Sequence, residues 1–155
     1  DAAVYQTIDG EIRVDISQHE ALIRVISRNN ESFYISRTKH ILPHSSDYTP
    51  RVMVAGGNIQ SPARAMESGL FELAAFIDRD EFLRAFIDQV YITARGEFEL
   101  VPRNGAHIIE LGDTSQLYEK FSRLQGFYQK GILQKGWNYY RRINLRYQNQ
   151  VVCSK

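Results

Sequence analysis

The sequence predicts an α+β fold: a mixed, mostly antiparallel β-sheet packed against two helical segments, preceded by a partial hairpin unit. Three observations carry this. Short runs alternating between apolar and polar residues recur at both ends of the chain, the period-2 mark of strands with one buried face. Two stretches, at about 66–87 and 113–131, instead repeat apolar residues at the spacing of a helix face. Turn residues fall between almost all of these runs.

The 155 residues suit one full domain, or one domain with a fragment of another. A chain of this length buries a core without disulfides or metals. Cys153 is the single cysteine, so no internal disulfide forms. No apolar run approaches the length of a membrane span, and no signal peptide is present. The chain begins at Asp1 instead of Met, so it reads as a fragment or a processed form.

Ile12, Val14 and Ile16 alternate with Glu11, Arg13 and Asp15 after the Asp9-Gly10 turn signal. Val4 to Ile8 closes a helix or begins a strand. Leu22 to Ile26 reads as a strand that returns on 12–16 as a hairpin or two-strand corner. Ser32 to Ser36 is the next strand. His40 to Pro43 is a short extended piece that Pro43 keeps from a central position. Val52 to Val54 is a strand ended by Gly56-Gly57.

Leu70, Leu73, Ala74 and Ile77 fall at i, i+3, i+4 and i+7, and Phe82, Leu83, Phe86 and Ile87 repeat the pattern. Strands follow at Gln89–Ala94, Phe98–Val101 and His107–Leu111, joined by Arg95-Gly96-Glu97 and by Arg103-Asn104-Gly105, an Asn-Gly hairpin signal. Asp113 with Gln116 reads as a capping box. Leu117, Phe121, Leu124 and Tyr128 then form a stripe that packs on the meander.

The last stretch is the one the chain is organised around. Ile143, Leu145 and Tyr147 alternate with Arg142, Asn144 and Arg146. Gln148-Asn149-Gln150 turns the chain, and Val151-Val152-Cys153 is the closing strand. A strand with nothing after it is either an interior strand or a sheet edge with one unpaired row of N–H and C=O groups. Proteins blunt such edges with charge, proline or a cover, and this one carries no charge until Lys155.

From Lys120 onward there is no Asp or Glu: all 18 acidic residues lie in 1–119, against 11 of the 19 basic ones. Either this quarter prefers an acidic partner, or acids elsewhere in the fold balance it.

The chemistry of an enzyme is not apparent. His40 and His44 have the spacing of a helical metal pair, but Pro43 stands between them with no Cys or carboxylate cluster. His107 reads as structural. Cys153 has no helix N-terminus or sequence-adjacent His to activate it. Gly56-Gly57 lacks the Gly-Lys-Ser/Thr ending of a phosphate loop. Tyr139, Tyr140, Arg141, Arg142, Arg146 and Tyr147 mix aromatics with bases, as single-strand nucleic-acid binders do, yet alternation sends Tyr147 to the core face. No catalytic residue, cofactor, metal or nucleic-acid partner is therefore expected.

The ending Ile143-Asn144-Leu145-Arg146-Tyr147, a polar turn and a short apolar strand resembles the C-terminal strand pair of the FtsQ/DivIB bacterial cell-division proteins. Ile12 to Ile16, Gln18-His19-Glu20-Ala21 and Phe33-Tyr34-Ile35 resemble that family's passage from its POTRA domain into its β domain. Leu42-Pro43-His44-Ser45-Ser46-Asp47-Tyr48-Thr49 and Gln150-Val151-Val152-Cys153 are most similar to the Bacteroidetes branch. Arg37-Thr38-Lys39-His40 stands where the family has an Asp-rich, Gly-containing turn.

The resemblance implies a C-terminal part of a POTRA domain at 1–27 and an FtsQ-type β domain at 28–155. It implies a non-enzymatic scaffold, the periplasmic region of an inner-membrane protein anchored by an N-terminal helix outside this chain. FtsB/FtsL-like partners would add a strand beside the terminal one. Arg146 and Tyr147 carry over as partner-contacting residues, and Asn149, Val151 and Cys153 lie on the augmented edge. A POTRA-type binding module for secreted or outer-membrane polypeptides is the competing reading.

Overall fold

The computed structural model describes residues 2–6, 11–16, 18–45, 49–132, 136 and 139–155. The expected Asp9-Gly10 turn, the Ser46-Asp47 loop and Trp137 lie outside them. A two-stranded antiparallel sheet pairs β1 (Ala2–Gln6) with β2 (Ile12–Ile16). A nine-stranded sheet holds β3 (Ala21–Ile26), β4 (Ser32–Ser36), β5 (Ile41–Pro43), β6 (Met53–Gly57), β7 (Ile87–Ile92), β8 (Phe98–Pro102), β9 (Ile108–Gly112), β10 (Arg142–Asn144) and β11 (Val152–Ser154). Their spatial order is β11-β10-β9-β8-β7-β6-β3-β4-β5.

The α+β expectation holds. The antiparallel ladders are β3–β4, β4–β5, β7–β8, β8–β9 and β10–β11; the parallel ones are β3–β6, β6–β7 and β9–β10. Two of the parallel pairs are βαβ units, because a parallel return needs a long crossover. Helices α1 (Pro62–Glu67), α2 (Leu70–Arg79) and α3 (Glu81–Phe86) connect β6 to β7, and α4 (Leu117–Phe127) with a π-helical turn (Tyr128–Ile132) leads from β9 towards β10.

One expected pairing does not form. The strand at 21–26 joins the large sheet between β4 and β6, and the strand at 12–16 pairs with 2–6 instead. Ile23 and Val25 are fully buried in the main core, so burial there outweighs a local hairpin.

The expected helix at 66–87 is three helices. Ser61 caps the first, its hydroxyl accepting from the Arg64 N–H at 3.3 Å, with Pro62 at the first helical position. Asp80 caps the third, accepting from the Leu83 N–H at 2.9 Å, and so separates it from the second, which ends at Arg79. The face Leu70, Leu73, Ala74 and Ile77 is buried as its spacing requires. Phe82 is 39% exposed, and Ile87 already belongs to β7.

The capping box at Asp113 and Gln116 does not form. Gln116 sits in the left-handed region at φ 50°, with no side-chain hydrogen bond to the helix. The Asp113 carboxylate accepts instead from Lys120 Nζ at 2.7 Å and from the Ser115 N–H at 3.1 Å. The Lys120 ammonium is nearly buried, and its charge-assisted bond to the anion is stronger than one from a neutral amide. The stripe holds: Phe121, Leu124 and Tyr128 are buried, and Phe121 stacks on Phe76 of α2 at 5.4 Å.

The helices thus cover one face of the sheet, where Val25, Ala55, Val90, Leu100, Ile109 and Ile143 form the core. On the other face Arg24, Gln89, Tyr91, Glu99, Glu110 and Arg142 alternate with them. Gly57 ends β6 at φ 102°, and a Cβ there would lie 2.2 Å from the Ile92 carbonyl oxygen, so only glycine fits this close approach. Lys39, at φ 63°, takes the left-handed turn position in Arg37–His40 without a glycine.

Candidate functional site: the terminal edge strand

β11 is one of the two edge strands of the nine, β5 being the other, and among the described residues its only strand neighbour is β10. The register pairs Arg142 with Ser154, Ile143 with Cys153 and Asn144 with Val152. β10 is shorter than the alternation over 142–147 suggests, and the reason is local. Leu145 still donates its N–H to the Glu110 carbonyl at 2.9 Å. Its own carbonyl is taken by Arg123 Nη2 of α4 at 3.2 Å. Asn144 Oδ1 accepts the Arg146 N–H at 2.9 Å and turns the chain. Alternation therefore fails after Leu145, and Tyr147 is 52% exposed instead of part of the core.

Asn149 takes the turn at φ 60°, a conformation asparagine tolerates better than most residues. The closing strand begins at Val152, one residue later than expected. Val151 and Cys153 lean on the core, while Val152 is 42% exposed. Burial pushes the Cys153 thiol pKa up, the opposite of an activated nucleophile. Beneath the strand pair His107 Nε2 meets the Tyr128 hydroxyl in the buried interior. Burial, then the nearby Cys153, raise the Tyr128 phenol above its usual range.

A family model described as FtsQ/DivIB, C-terminal related, matches residues 20–154. The chain belongs to this family. No curated protein matches it. The family is one of cell-division proteins, and the match starts just ahead of β3 and runs to the end of β11. It therefore covers the whole nine-stranded sheet of this FtsQ/DivIB-related domain.

In the FtsQ/DivIB-related domain, much of the basic surplus of the last quarter is balanced internally. Arg142 pairs with Glu99 at 2.6 Å and with Glu110. The Glu110 hydrogen bond, first among its causes, raises the Arg142 pKa further. Arg146 reaches Glu97 at 3.3 Å and Glu110 at 3.2 Å, and its Cγ lies 3.0 Å from where a Gly112 Cβ would stand. Lys155 sits 4.6 Å from the Tyr139 ring centroid. Lys130 and Arg141 have no carboxylate partner among the described residues.

Sequence reasoning missed Glu97, Glu99 and Glu110. Their signal was present: Phe98 and Leu100, and Ile109 and Leu111, take the core face, which leaves the intervening glutamates on the open one. Only the order of strands shows that β10 brings its cations beside them. Among the described residues no group of three or more His, Cys, Asp or Glu converges as a metal site, and no helix is long and apolar enough to cross a membrane.

Proposed function

We propose that the domain is a non-enzymatic scaffold of the bacterial divisome, binding FtsB/FtsL-like partners by adding their strand to the outer side of β11. The observation that carries this reading is the terminal position of β11: three residues at the sheet edge, uncharged, with their outward main-chain groups facing no other strand among the described residues. An added strand would satisfy those groups, each bond contributing about 1 kcal/mol.

In this reading Tyr147 supplies an exposed aromatic contact beside the edge, and Arg146 a guanidinium fixed in direction by Glu97 and Glu110. Asn149 shapes the turn, and Val151 and Cys153 contribute backbone. The internal balancing of Arg142 and Arg146 weakens the case for a strongly acidic partner and shifts the affinity to main-chain pairing and aromatic contact. The domain would lie in the periplasm, its parent anchored in the inner membrane by a preceding helix. The segment ahead of β3 would be the end of a POTRA domain. The boundary expected at residue 27 moves ahead of β3 in this reading, since β3 is integral to the large sheet.

The test is a proline placed in turn at Val152, Cys153 and Ser154, with partner affinity measured by calorimetry. Proline at a position whose N–H points outward removes one intermolecular bond and blocks close approach. At least one variant should lose partner binding tenfold or more while its melting temperature stays near wild type. Wild-type affinity in all three would rule out strand addition at β11.

A further inference from the structure

A second site lies in the other half of the sheet, separated from β11 by β8, β9 and β10. A cleft of about 430 Å³ opens where β3, β6 and β7 meet the α2–α3 junction. Four arginines from four separate segments line it: Arg37 after β4, Arg51 before β6, Arg84 on α3 and Arg103 after β8. Two carboxylates, Asp78 and Asp88, face them.

The pairing is incomplete. Asp78 accepts from both terminal guanidinium nitrogens of Arg37, Nη1 and, at 3.0 Å, Nη2, and Arg37 Nε also reaches Glu20 at 3.2 Å. Asp88 meets Arg103 only at 3.5 Å. Arg51 and Arg84 have no carboxylate partner among the described residues. The lining carries four positive charges against two negative ones, Glu20 beside Arg37 adds a third acid, and the two guanidiniums left without a carboxylate are those of Arg51 and Arg84. Behind them Met53, Ile77 and Ile87 form an apolar floor; Ile77 and Ile87 are 2% exposed. An apolar wall strengthens the field of the charges before it.

We propose that this cleft binds a phosphate dianion, either free or carried on a lipid headgroup. The two unpaired guanidiniums, Arg51 and Arg84, match the two charges of a dianion. Guanidinium forks match the oxygens of a tetrahedral phosphate bidentately. At about 430 Å³ the cleft has room for one such group and its first substituent.

The probes are inorganic phosphate and vesicles of phosphatidylcholine with or without phosphatidic acid, applied to the whole chain. Arginine Nε resonances follow phosphate binding, and co-sedimentation follows vesicle binding. Arg51→Gln/Arg84→Gln removes the two free cations. Lys130→Gln/Arg141→Gln removes equal charge elsewhere. All four side chains are exposed, and a thermal melt checks that each variant folds.

Saturable shifts at Arg51 and Arg84 with phosphate, lost at least tenfold in affinity in the first variant and kept in the second, support a free-anion site. The same pattern with phosphatidic acid vesicles alone supports the headgroup. Binding of neither probe overturns the proposal. So does equal loss in both double variants, and so does a hexaglutamate peptide that outcompetes both phosphate sources.

Discussion

Glu110 of β9 takes Arg146 Nη2 at 3.2 Å, and the same carboxylate gathers the rest of the terminal segment. It accepts from Asn144 Nδ2 at 2.5 Å and from Arg142 Nε. Three donors from one five-residue stretch thus converge on one side chain that is only 14% exposed. β10 meets β9 over just three residue pairs, so this carboxylate ties down the strand pair that presents the edge.

Glu110→Ala should therefore loosen the terminal pair. The expected loss is about 2 kcal/mol, the scale of hydrogen bonds to a half-buried charge. Amide exchange should quicken across 142–154 and remain slow in β3 and β7. Uniform acceleration through the whole sheet would mean that the carboxylate stabilises the domain and not the edge.

Tyr147 separates contact from stability. With half of its surface exposed, Tyr147→Ala should cost under about 0.5 kcal/mol of stability. Partner affinity in calorimetry should fall tenfold or more. Arg146→Ala should also weaken binding, but with faster exchange in 142–154, because its side chain is shared with Glu97 and Glu110. A Tyr147→Ala variant that binds like wild type would remove this residue from the site.

Gly57 sets a limit on the core of the sheet. A methyl group there meets Ile92 backbone on the neighbouring strand, at a positive φ. Gly57→Ala should destabilise the fold by about 3 kcal/mol or more, since the obstruction is main chain and not a movable side chain. Urea denaturation measures it. A midpoint near wild type would show that β6 and β7 separate easily at this end.

Asp113 gives a pH signature. Lys120 first, then Ser115, hold its carboxyl at about 2, below its ordinary 3.8. A folded-state value below the unfolded one means the contribution is full above about pH 4 and is lost as pH falls towards 2. Asp113→Asn should be less stable than wild type at pH 5, with the gap clearly narrower at pH 2.5. A gap of the same size at both pH values would show that the carboxylate's charge contributes nothing. The side chain is 73% exposed, so solvent screening keeps the effect modest.

Most of the scaffold was legible in order of appearance. The helix face at Leu70–Ile77, the meander expected between residues 89 and 111, the stripe on α4 and the outlying position of Pro43 all follow from spacing and from what proline excludes. Local competition was not legible. Lys120 took the carboxylate expected to cap α4, and Arg123 took the Leu145 carbonyl expected to extend the strand. The partners stand 7 and 22 residues from their targets, and neither contact lies within one regular element whose periodicity would announce it.

The sequence by itself determined which residues seek the interior and where the chain turns, because those preferences act over a few neighbouring residues. It also determined that the last strand is short and uncharged. Only the tertiary structure decided that this strand lies at an edge and that Tyr147 faces solvent. It alone brought the cations of the last quarter beside Glu97, Glu99 and Glu110. Strand order is settled by burial summed over the whole sheet, and long-range ion pairs form only after that order is set.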